Sequence, residues 1–191
     1  ERIEFPTWWE NGTTGSRDNR GNEFSPEQVI SSAWITADCR DYTGKYEQPY
    51  QLALPAGDHA LALRVTDGAA KLQRVALTPA AEPAAYDPAA VSGGDVADVI
   101  PIEGESAVLK SSLSLIPLSD DSSPRVSPAD PTVSRLNYIG GSHWSSPNDT
   151  LTWKVNVEKA GYYALGFLYR QSELLGGVSY RRLTVDGAVP F

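Results

Sequence analysis

Five tryptophans and nine tyrosines stand among 191 residues. The most suggestive are set among small polar residues rather than inside apolar runs. Trp144 follows "IGGSH" and precedes "SSPND", and the pair Trp8-Trp9 follows "FPT" and precedes "ENGTTG". Adjacent residues on a strand face opposite ways, so one of Trp8 and Trp9 is expected to point outward. An indole open to solvent beside amide or guanidinium donors is a platform for a sugar ring. Its face takes the C–H side of the ring, while the polar neighbours bond the hydroxyls. The competing expectation is that these loop tryptophans pack onto the edge of the fold. Arg170, Arg181 and Arg182 concentrate cations near one another. They suit either cross-strand pairing with acids or bidentate recognition of a carboxylated or hydroxyl-rich ligand.

Other chemistries have thinner support. The two histidines, His59 and His143, lack a nucleophile motif around them, and no Gly-x-Ser-x-Gly elbow occurs. Neighbouring acids such as Glu103/Glu105 and Asp120/Asp121 do not by adjacency set the separation that glycoside hydrolysis needs. The expectation is therefore a chain that is not an enzyme. "IEGESA" over 102–107 reads as a strand, which places Glu103 and Glu105 on one side, and two hard oxygen donors there suit Ca²⁺. The same acids on a solvated edge strand are the plainer reading. "GSRDNRGNE" over 15–23 is Asp- and Asn-rich but lacks the acid spacing of an EF-hand loop. The single Cys39 permits no internal disulfide.

The elements that must position these groups read as strands. Gly (16) and Pro (14) are abundant, helix formers are thin, and apolar residues alternate. Leu151, Trp153, Val155 and Val157 alternate with polar residues over 149–157, a half-buried strand. Further strands are expected at 162–171 and 178–187, the latter closed by Asp186-Gly187, a tight-turn pair. The N-terminal part shows the same style at 50–54, 59–66 and 71–79. Two polar stretches, 10–28 and 119–134, read as long loops. The fold class is all-β, an antiparallel β-sandwich. The net charge of −8 argues against nucleic acid as a partner, and the longest apolar runs are far too short for membrane insertion. A chain without Met is expected to be a mature fragment or an excised segment.

Three stretches together resemble one family. "IEGESAVLKSS", then "LNYIGGSHWSSPNDTLTWKVNVEKAGYYALGFLYRQ", then "YRRLTVDGAVPF" are similar to the galactose-binding-like jelly roll of carbohydrate-binding modules. The nearest flavour is the version attached to bacterial extracellular solute-binding lipoproteins of sugar ABC importers. The resemblance covers 102–191 well and extends more loosely to "PYQLALPAGDHALALRVTDG". It implies that Glu103 and Glu105 belong to an acidic opening strand that can ligate a structural Ca²⁺. The later acid of that site would fall near 71–77, where Gln73 and Arg74 stand instead. It also implies that 138–144 is a binding loop and that Trp8 and Trp9 match a loop aromatic.

The order of the elements departs from the family. Its later elements come first here, at 5–9 and 54–63, and its opening strand appears only at 102. The implied organisation is 1–78 as the later half of a jelly roll, 79–99 as an Ala/Pro/Gly linker, and 100–191 as the opening half. Three arrangements fit: a segment spanning two tandem modules, a circularly permuted module, or halves exchanged between molecules. A half sandwich alone exposes its apolar face and open edges, so pairing of the two halves into one sandwich is the favoured expectation. Taken together, the reading is a non-catalytic carbohydrate-binding module of an extracellular or cell-surface bacterial protein. Trp8, Trp9, Tyr138 and Trp144 would stack on sugar, with Asn137, His143 and Arg181 supplying hydrogen bonds. The alternative is a structural or assembly β-sandwich without its own sugar site, self-associating through half-module pairing.

Overall fold

A computed structural model of the chain describes residues 2–13, 15–46, 48–79, 85–89, 99–174 and 176–190. Its regular elements are short antiparallel strands and two single turns of 3-10 helix, so the chain is β-rich, as its composition implies. No described helix is long and apolar enough to cross a membrane. The chain divides into two units, one formed by Pro6–Ile35 with Tyr86–Arg182 and the other by Glu1–Phe5, Thr36–Ala85 and Leu183–Phe191.

The strands lie in the first of these units. They are β1 (Trp9–Asn11), β2 (Ser16–Arg17), β3 (Glu23–Phe24), β4 (Gln28–Ile30), β5 (Leu109–Lys110), β6 (Pro117–Leu118), β7 (Tyr138–Ile139) and β8 (Leu151–Thr152). Four of them form a sheet in the order β4-β1-β5-β8, with Trp9 opposite both Ile30 and Lys110, and Lys110 opposite Leu151. The β2–β3 and β6–β7 pairs stand as separate ribbons. β1 precedes 79–99 and β5 follows it, so this ladder joins residues on either side of that stretch. Glu23 strengthens the junction. Its backbone N–H donates to the Ser134 carbonyl at 3.0 Å, and its carboxylate accepts from the Leu136 N–H at 3.0 Å, Arg135 at 3.2 Å and Arg17 at 2.7 Å.

The core under the sheet is small: Ala107, Leu115 and Leu151 are buried, and Ile139, Trp144 and Trp153 pack against them. Trp153 turns inward as its period-two pattern predicts, and its Nε1–H donates to the Gly104 carbonyl at 3.1 Å. Lys110 is fully buried beside this core. Its ammonium donates to the Asn11 side-chain oxygen, which also accepts from Gln28 at 2.9 Å.

Several expected elements differ. The stretch 10–28, read as one loop, contains the β2–β3 hairpin. It turns on Asp18, whose carboxylate accepts from the N–H groups of Arg20 and Asn22, each at 2.9 Å. The Asp-Asn pattern of 15–23 is therefore turn chemistry. The strand expected at 149–157 shortens to β8, and Val155 and Val157 are exposed. The runs 50–54, 59–66, 71–79 and 162–171 form no strand among the described residues, and 178–187 keeps only the Val185–Ala188 bridge. Alternation records the capacity to face two environments, but a strand exists only where a neighbour completes its hydrogen bonds. Most of 79–99 lies outside the described residues, so the linker expected there is not described as a whole.

The second unit is organised by turns. Asp41 is buried, and its carboxylate accepts from Thr43 N–H at 3.0 Å, Thr43 Oγ1 at 2.7 Å and Lys45 N–H at 2.9 Å. Those donors, the Thr43 hydroxyl first, hold its carboxyl below the ordinary aspartate value. Cys39 is exposed, with its carbonyl accepting from Tyr50 N–H at 2.8 Å. Asp186 and Gly187, both at positive φ, close Val185 onto Ala188 through reciprocal backbone bonds of 2.8 and 3.0 Å, the two-residue turn expected from that pair.

Candidate functional site

The loop after β7 is shaped by two glycines. Gly140 and Gly141 have φ of 110° and 63°, a left-handed region that favours glycine, and together they reverse the chain. A Cβ on Gly140 would lie 3.3 Å from Trp144 Cε3, so the missing side chain is also what lets the indole approach. A 3-10 turn over Gly141–His143 follows, closed by the Trp144 N–H donating to the Gly141 carbonyl at 3.1 Å.

Trp144 is half-buried against the core, and its Nε1–H donates to the Asp149 carbonyl at 2.9 Å. Its ring is covered by Arg181, whose guanidinium carbon lies 4.2 Å from the ring centroid, a cation–π stack. Arg181 Nη2 donates to the Trp144 carbonyl at 2.8 Å, and Nη1 donates to the Ser179 hydroxyl at 2.7 Å and the Tyr180 carbonyl at 2.8 Å. The guanidinium is thus held over the indole by three hydrogen bonds, a planar cation rather than a swinging side chain.

Two further groups border the loop. A Cβ on Gly141 would lie 3.7 Å from Glu173 Oε1 and 4.0 Å from Tyr138 Cε2, so a carboxylate and a phenol edge flank the glycine pair. His143 is exposed on the same turn. Tyr138, His143, Trp144 and Arg181 are therefore gathered around 140–144. Glu173 joins them unannounced by the sequence. It follows the run 162–171 and carries no motif, so only the chain path shows its position.

The other expected residues lie elsewhere. Asn137 is buried, and its amide is engaged inside the fold: Nδ2 donates to the carbonyls of Asp120 and Pro128 at 2.9 Å each, and Oδ1 accepts from Asp120 N–H at 2.8 Å. It clamps the 119–134 loop. Trp9 sits in the β1 ladder and Trp8 beside it, its carbonyl accepting from Ser31 N–H at 2.8 Å, and both are half-buried. Arg170 pairs with Asp120 at 2.9 Å, an acid partner as one alternative expected for the arginines, but outside any strand.

Glu103 and Glu105 flank and enter a 3-10 turn over Gly104–Ser106 rather than a strand. Residues two apart on such a turn point about 240° apart, so the shared face expected of a strand is replaced by a turn. Glu105 Oε2 is buried without a hydrogen-bond partner. Burial first, then the charges of Glu103 and Glu23, push its carboxyl above the usual glutamate value. No three His, Cys, Asp or Glu side chains converge as a metal-holding group among the described residues.

A concavity of about 450 Å³ opens elsewhere in this unit, bordered by Asp18, Phe24, Ser25, Leu118, Ser134 and Leu136. Of its two carboxylates, Asp18 is already engaged in the β2–β3 turn and Glu23 by Leu136, Arg135 and Arg17. The Trp144 loop therefore has the better-assembled donors and acceptors. The chain matches no protein-family model, no curated protein and no solved structure.

Proposed function

We propose that the chain is a non-catalytic carbohydrate-binding module of an extracellular bacterial protein, built as a galactose-binding-like jelly roll in permuted order. The observation that carries this reading is Arg181 held over the Trp144 ring, with Glu173 and Tyr138 beside Gly141. The combination suits a pyranose. A planar cation and an indole edge offer a stacking surface, while the carboxylate and the His143 ring accept or donate to hydroxyls. Because Arg181 covers the indole face, the ligand stacks on the guanidinium plane. Arg181 thus takes the central role expected of a bare tryptophan. Such a site is shallow, so affinity is expected to be weak.

The single-sandwich organisation is supported by the β1–β5 ladder and by the carboxylate of Glu23, which tie residues before 79 to residues after 99. Ca²⁺ belongs to the same proposal, with Glu105 as its first ligand because its buried Oε2 lacks a donor. Two carboxylates fall short of the six to eight oxygens that Ca²⁺ takes, so the ion would need further oxygens from loop carbonyls or water.

The test is calorimetric titration of neutral and acidic oligosaccharides chosen from a glycan array. Arg181→Ala and Trp144→Ala should each weaken binding at least about tenfold, the loss of ~1.4 kcal/mol. Binding left unchanged by both substitutions would sink this site.

A further inference from the structure

The lysine in the four-stranded sheet lacks the ionic partner that usually accompanies burial. Lys110 is fully buried, and among the described residues its side chain makes one hydrogen bond, to the Asn11 side-chain oxygen, and no ion pair. A lysine is seldom taken out of water without a carboxylate, and where it is, the neutral amine is favoured. Burial accordingly lowers its pKa to about 8. The outcome is an amine nucleophile held against an amide.

The register brings the two together. Trp9 stands opposite Lys110 across β1 and β5, and Asn11 stands opposite Gln28 across β1 and β4. Opposed residues share a sheet face, as do residues two apart on one strand, so Lys110, Asn11 and Gln28 lie on one face. Asn11 is diagonal to Lys110, a separation that a long side chain spans. Gln28 Nε2 donates to the same Asn11 oxygen at 2.9 Å and is held by the Pro26 carbonyl at 2.9 Å. Two donors thus converge on Asn11 Oδ1, where they polarise the carbonyl and would stabilise an oxyanion forming on it. Glu10 is the carboxylate whose charge reaches Lys110, and it accepts from the Ser31 hydroxyl.

We propose that Lys110 and Asn11 form an intramolecular isopeptide bond that joins β5 to β1. The neutral Nζ attacks Asn11 Cγ, the Cγ–Nδ2 bond breaks, and Nδ2 leaves as ammonia with one proton taken from Nζ. Glu10 serves as the base that moves this proton. Nothing is oxidised or reduced, and no co-reactant is consumed. Fixed proximity supplies what aminolysis of an amide in solution lacks. A chain cut between 11 and 110 would then remain one covalent molecule. The bond is independent of the sugar site, and loss of glycan binding at Trp144 would leave it untouched.

A competing reaction has the same mass. Asn11 precedes Gly12, and attack by the Gly12 nitrogen would give a succinimide, also with loss of ammonia. That nitrogen is committed as a donor to the Glu27 carbonyl at 2.7 Å.

Intact-mass spectrometry of the folded chain, held at neutral pH until its mass is constant, tests the proposal. The wild type should weigh about 17 Da less than its sequence, the mass of one ammonia. Lys110→Met and Asn11→Ala should each show the full sequence mass. Trypsin does not cut after an acylated lysine, so it should leave residues 3–17 joined to 75–125 as one branched peptide. A wild type at full mass overturns the proposal. A deficit that persists in Lys110→Met, with 3–17 recovered as a linear peptide, overturns it in favour of the succinimide. If either variant fails to fold, the branched peptide of the wild type still decides.

Discussion

Glu23 and Glu105 are carboxylates of one unit held in opposite conditions. Glu23 is pulled below the ordinary glutamate value by the Leu136 N–H first, then by Arg135 and Arg17. Its folded-state pKa is depressed, so its contribution is present above the unfolded value near 4.5 and is lost as pH falls through the folded one. Glu23→Gln should cost about 1–3 kcal/mol at neutral pH and flatten the acid limb of a denaturation profile below pH ~4.5. Glu105 is raised, so its ionised form opposes folding and stability falls as pH rises from about 4.5 through the folded value. Glu105→Gln should raise the melting temperature at pH 7 and remove that decline. If Ca²⁺ binds there, added Ca²⁺ should raise the wild-type melting temperature and leave Glu105→Gln unmoved. Asn137 shows what the sequence leaves hidden at this scale. Its place beside Tyr138 suggests a ligand donor, yet its partners Asp120 and Pro128 belong to a loop that no pattern in the sequence folds back onto it.

The β1–β5 ladder places a lysine where a sheet interior usually takes an apolar residue. Burial lowers the Lys110 pKa to about 8, with Glu10 opposing the shift. The folded chain releases this proton before the unfolded chain does, so stability should rise with pH between about 8 and 10.5. Urea denaturation at pH 7.5, 8.5 and 9.5 should show the rise in chains whose Lys110 amine is free, and Lys110→Met should abolish it. The glycine loop is a second device at this scale. Gly140→Ala should cost about 1–3 kcal/mol through its positive φ and crowding of Trp144, and should shift the tryptophan emission. Elements were unevenly legible. The Asp186-Gly187 turn, the inward Trp153 and the glycines before Trp144 were readable, because local sterics or period two decide them. The β2–β3 hairpin was not, because its strands are two residues each and polar. The extent of the strands was overread, because pairing partners are a tertiary property.

For the whole molecule, the core is small: Ala107, Leu115 and Leu151 are its buried hydrophobic residues among the described ones. The β-rich class of the fold was legible from composition alone. What the composition does not carry is whether the alternating runs are satisfied within one chain or between two.

Cys39 lends itself to resolving that question by spectroscopy. It is the chain's one thiol and it is exposed, so a maleimide or nitroxide reagent attaches a single reporter to every polypeptide without mutagenesis. Dipolar coupling or energy transfer between such reporters arises only when two polypeptides meet. A residue with no expected part in binding or catalysis thus becomes the molecule's own proximity gauge.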